Sequence, residues 1–127
     1  MQLHWHRRDL RLRDNVGLAS GARDGEGPVL PVFVLDDRLL EAASPPRVAA
    51  LLDGLRALRD RYRDRGGDLV VIEGSPTEEL RRLANDYGVA RVHWNRDYAG
   101  VARRRAESVR EALEDDGVAV DTHHDAL

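Results

Sequence analysis

Apolar residues fall along the chain in two alternating patterns. Short runs occupy residues 3–6, 29–35, 69–72, 89–94 and 118–120. The second of these, Val29, Leu30, Val32, Phe33, Val34 and Leu35, is continuous apart from Pro31, which predicts a strand buried on both faces. Pro31 itself points to a strand start or a sheet edge, because proline brings no N–H to a ladder. Between the runs the spacing changes to that of helices. Val48, Leu51, Leu52, Leu55, Leu58 and Tyr62 repeat at i, i+3, i+4 and i+7, and Arg and Asp fill the other side. Pro45 and Pro46 suit a first turn, and Gly66 stands just beyond the last apolar position. Ser75-Pro76-Thr77-Glu78 spells a capping box that opens a helix through Leu80, Leu83, Ala84 and Tyr87, with Gly88 as its stop. Val101, Val109, Ala112 and Leu113 mark a further helix ending at Gly117, and Asp14-Asn15 can cap a short one through Val16, Leu18 and Ala19.

The order β-α-β-α-β-α-β-α-β predicts a single α/β domain over residues 1–127: a doubly wound, Rossmann-like, five-stranded parallel sheet flanked by helices. Parallel neighbours require such helical crossovers. In sheets of this kind ligands bind beyond the carboxyl ends of the strands, where the strand order reverses. Each predicted strand runs out into polar residues: Arg7, Arg8 and Asp9; Asp36 and Asp37; Glu73 and Ser75; Asn95, Arg96 and Asp97; His123, His124 and Asp125. A crevice is one reading. Ordinary polar loops with helix caps are the other.

Composition removes several kinds of chemistry. The 127 residues contain no cysteine, so disulfides, zinc knuckles and thiol nucleophiles are excluded. All 20 basic residues are Arg, which excludes Schiff-base and P-loop lysines. A net charge of −3 does not suit a domain that grips phosphate backbones. There is no phosphate-cradling glycine motif and no G-x-S-x-G elbow. His4 and His6 share a strand face and His123-His124 could approach them, yet zinc sites want three or four ligands with outer support, so no metal is expected. With no secretory signal and no long apolar stretch, the chain reads as a cytoplasmic protein that does not enter membranes.

The stretch Trp5-His6-Arg7-Arg8-Asp9-Leu10-Arg11-Leu12-Arg13-Asp14-Asn15-Val16-Gly17-Leu18 resembles the opening signature of the DNA photolyase/cryptochrome family. The resemblance continues through Val32-Phe33-Val34-Leu35-Asp36, Ser44-Pro45-Pro46-Arg47 and Trp94-Asn95-Arg96-Asp97-Tyr98, and reaches Arg103, Arg105, Asp125 and Leu127. It implies the N-terminal α/β domain of that family, without the larger helical domain that binds FAD and damaged DNA. The parent activity it implies is light-driven splitting of cyclobutane pyrimidine dimers. This domain's implied part is to hold a light-harvesting antenna chromophore, with no catalysis of its own, beside an FAD-binding domain in cis or on a separate chain.

The wording around Trp5 and Ser44 resembles the members that use 8-hydroxy-5-deazaflavin. The resemblance then assigns chromophore binding to Arg8, Asp36, Ser44, Arg47 and Asp97. Val101 and Ala102 stand where folate-using members have an Asn-Glu pair, which disfavours folate. Ala99, Gly100 and Ala106 depart from the family pattern, which has acidic, proline and aspartate residues there. The alternatives are a stand-alone nucleotide-binding domain and a docking partner for a helical flavin subunit, neither with repair activity of its own.

Overall fold

A computed structural model describes residues 1–7, 28–96 and 100–123. Five strands, β1 (Gln2–His6), β2 (Val29–Leu35), β3 (Val70–Glu73), β4 (Arg91–Asn95) and β5 (Ala119–His123), form one parallel sheet in the order β3-β2-β1-β4-β5. The helices are α1 (Asp37–Ala42), α2 (Pro45–Asp64), α3 (Pro76–Tyr87) and α4 (Gly100–Asp115). The expected doubly wound sheet is therefore present. The short helix expected after Asp14 lies outside the described residues, and α1 was not foreseen from the apolar spacing.

Two faces of the sheet follow from the period of two along each strand. Leu3 and Trp5 of β1, Val32 and Val34 of β2, and Val92 and Trp94 of β4 point to one face. There they meet Leu80, Leu83 and Ala84 of α3 and Ala106, Val109 and Leu113 of α4. Phe33 points to the opposite face and packs against Leu55, Leu58 and Tyr62 of α2. Gln2, His4, His6 and His93 share this second face and are fully buried.

Local rules explain most boundaries. The α3 stop is a left-handed Gly88 at φ 61°, a region that costs a side chain but not glycine, with its N–H bonded to the Ala84 carbonyl. Pro31 departs from its expected edge place, since β2 is an inner strand. The reason is register: β3 begins pairing only at Val32↔Val70, so Pro31 sits below the last rung on that flank. The capping box also differs. Ser75 is extended but its side chain makes no cap hydrogen bond, and the turn closes through the Glu79 N–H donating to the Ser75 carbonyl at 2.9 Å. Pro76, whose φ is pre-set, starts the helix without the hydroxyl.

Candidate functional site at the carboxyl edge

β1, β2 and β3 are laid down in one direction across the sheet and β4 and β5 in the other, so the strand order reverses between β1 and β4. In sheets of this kind such a switch point is where ligands bind. The edges on either side are held by cross-links. The Gly74 N–H donates to the Leu35 carbonyl at 2.9 Å, tying β3 to β2. The Arg96 N–H donates to the His123 carbonyl at 2.7 Å, and Arg96 Nε to Thr122 Oγ1 at 2.9 Å, tying β4 to β5.

Three of the five expected chromophore contacts lie in described residues, and all three follow β2 at this edge. Asp36 is half-buried. One of its carboxylate oxygens accepts the Arg38 N–H at 3.0 Å and its carbonyl accepts the Leu40 N–H at 3.1 Å, so it caps α1. Ser44 precedes α2 in an extended conformation; its carbonyl accepts the Arg47 and Val48 N–H groups at 3.0 Å, while its side chain makes no cap hydrogen bond. Arg47 lies in the first turn of α2, is exposed, and forms no ion pair among the described residues. Arg8 and Asp97 lie outside the described residues.

The position of Arg47 runs against helix electrostatics. A helix N-terminus carries roughly half a positive charge, which favours acids and disfavours cations. The first turn of α2 has no acidic residue to offset it. Pro45 and Pro46 bring no N–H and the Arg47 and Val48 N–H groups are spent on Ser44, so what this helix start offers an electron-rich or anionic group is the Arg47 guanidinium, the helix field and the Ser44 hydroxyl.

Beneath the edge lies a polar row that the sequence reading did not assemble. His6 Nε2 and the Tyr62 hydroxyl are 2.6 Å apart, and the His4 and His6 rings meet edge to face at 4.6 Å. His93 Nε2 lies 2.6 Å from Gln2 Oε1, and its Nδ1 lies 3.3 Å from His123 Nε2, with the two imidazoles stacked at 5.6 Å. A neutral His93 ring that donates from Nε2 to the Gln2 oxygen leaves Nδ1 as an acceptor toward His123. Asp121 accepts from Arg91 Nη1 at 2.7 Å beside them. The available signal was the alternation Gln2, His4, His6, which places three polar side chains on one strand face. His123 thus stacks on His93, and no group of three or more His, Cys, Asp or Glu among the described residues could hold a metal ion. No helix among the described residues is long and apolar enough to cross a membrane.

A parallel five-stranded sheet with this order, flanked by helices on both faces, defines the class: a doubly wound α/β domain. The DNA photolyase family pattern matches residues 2–127. A deoxyribodipyrimidine photo-lyase of Halobacterium salinarum is 53% identical over 135 residues, a match covering 100% of this chain and 28% of the relative. A class III photolyase from Agrobacterium tumefaciens superposes with a TM-score of 0.86 at 32% identity, covering 97% of this chain and 25% of that one. The photolyase of Sulfolobus tokodaii, whose structure holds two FAD molecules and implies a novel light-harvesting cofactor, gives 0.86 at 31% identity over 97% of this chain and 29% of its own. The chain belongs to the DNA photolyase family and corresponds to its N-terminal α/β domain. It spans under a third of the length of these relatives.

Proposed function

We propose that this chain is the antenna unit of a light-driven photolyase, holding a flat chromophore, 8-hydroxy-5-deazaflavin, at the carboxyl edge of its sheet. The observation that carries the reading is Arg47: an exposed guanidinium in the first turn of α2, without an ion-pair partner among the described residues, where the helix field disfavours it. A cation kept at such a place has a use for a negative partner. The ionisable ring hydroxyl of a deazaflavin supplies one, and the Arg47 guanidinium with the positive field of the α2 N-terminus favours its anionic form.

In this reading Ser44 offers its hydroxyl beside Arg47, and Asp36, which caps α1, fixes the loop that carries both. Arg8 and Asp97 complete the contacts from the loops after β1 and β4, the two strands that flank the switch point. When bound, the chromophore supplies absorption of blue light and a donor of excitation energy. The chain's residues bind the ring, orient it and exclude water from one side of it. Transfer to FAD, and repair of cyclobutane dimers in DNA, belong to a helical domain in cis or on a partner chain.

Titration of the protein with 8-hydroxy-5-deazaflavin tests the proposal. A saturable, red-shifted visible band is expected, with FMN and folate giving weaker binding. Absence of any saturable change with the deazaflavin overturns it.

A further inference from the structure

We propose that Trp5 and Trp94 form a second light collector, which passes ultraviolet excitation into the ring held at the carboxyl edge. The inference rests on the chromophore-binding reading. The chain has two tryptophans, and the fold brings both to one place. Trp5 is the penultimate residue of β1 and Trp94 of β4, so each lies about 3.3 Å, one residue's rise, below its strand end. These are the two strands between which the sheet order reverses. The indoles therefore lie under the switch point itself.

Their geometry suits the task. The ring centroids are 5.1 Å apart and the planes cross at 79°. At this separation excitation is shared readily between the two indoles, so either can feed a ring above them. Trp5 is 5% exposed and Trp94 1%, so water neither relaxes nor quenches their excited states. Emission from such a dry indole stays in the near ultraviolet, where a deazaflavin absorbs. Dipole-coupled transfer falls with the sixth power of distance, and both donors stand one residue short of the carboxyl ends of their strands, on the edge side of the sheet. The Arg7 guanidinium, 5.0 Å from the Trp5 ring centroid, holds that ring from the side on which the chain leaves β1. No bond, proton or electron moves in the step: the indole returns to its ground state as the acceptor ring is excited.

The test uses the whole chain titrated with 8-hydroxy-5-deazaflavin and excited at the red edge of indole absorption, where tyrosine is silent. Indole emission is expected to fall in parallel with growth of the visible band, and the excitation spectrum of ring emission to gain an indole band. Normalised to bound ring, W5F and W94F each reduce that band roughly twofold, since one of two indoles is gone, and the double variant removes it. Saturable ring binding with unchanged indole emission overturns the relay while leaving the antenna reading intact. So does quenching without sensitised ring emission, or an indole band that survives in the double variant. Failure of the visible titration itself overturns both.

Discussion

His6 and Tyr62 stand 56 residues apart in the chain, and their side chains meet at 2.6 Å, imidazole Nε2 against phenol oxygen. This contact joins the end of β1 to the last turns of α2. His6 is fully buried and Tyr62 is 7% exposed, so neither group can trade the bond for water. Tyr62→Phe keeps the ring in its contacts with Leu55 and Leu58 and removes only the hydroxyl. Losing one partner of a buried bond costs about 1–3 kcal/mol, and urea denaturation should show this loss with an unchanged slope. A change near zero would show that the hydroxyl contributes nothing to holding β1 and α2 together.

Trp94 is the largest fully buried side chain, at 1% exposure, and packs against Trp5 on the face covered by α3 and α4. Trp94→Ala opens a cavity between these layers and is expected to cost about 3–5 kcal/mol, enough to unfold a marginal domain. Trp94→Phe, which keeps an aromatic ring, should cost clearly less. Thermal melts of the two variants side by side check the ranking.

The hydrophobic runs carried the fold, because each of the five short runs became a strand and the i, i+3, i+4 spacing located α2, α3 and α4. What they could not carry was register. Pro31 looked like an edge marker and lies on an inner strand, since only the start of β3 opposite Val32 makes the proline harmless there. α1 is too short at 6 residues for any apolar period to announce it. In the proposed site, Asp36 stood out because it follows a strand end in sequence, whereas Ser44 and Arg47 were named through the family resemblance alone. The pairing of His93 with Gln2, 91 residues apart, depends on strand order and was invisible in the sequence.

Asp116 holds a two-pronged bridge to Arg81, with Nε at 2.7 Å and Nη2 at 2.8 Å, joining the turn after α4 to α3. The Arg81 hydrogen bonds keep the Asp116 carboxyl below its ordinary value of 3.8 against an opposing desolvation effect, with the guanidinium charge a smaller help. A carboxyl depressed in the folded state contributes stability above its unfolded value and loses it as the pH falls through the folded one. Asp116 should therefore titrate below 3.8 by carbon-detected NMR. In Arg81→Ala it should return to the ordinary range, and the acid limb of the stability profile should flatten slightly. The bridge is exposed, so added salt should shrink the difference.

On the proposed reading, Arg47→Ala separates ligand recognition from folding. The guanidinium is exposed and unpaired among the described residues, and it opposes the α2 dipole, so its removal should leave the melting temperature unchanged or raise it by up to about 1 kcal/mol of stability. A charge-assisted bond to a bound anion is worth about 1.5–3 kcal/mol, which predicts roughly 10- to 100-fold weaker deazaflavin binding. Two further signs distinguish loss of a cation from simple loss of contact. The bound ring's hydroxyl should titrate at higher pH in the variant, because its anion has lost its partner, and Arg47→Lys should restore part of that shift but less of the affinity. If Arg47→Ala instead binds as tightly as the wild type while melting lower, Arg47 is holding α2 in place, and the chromophore must be sought elsewhere along the edge.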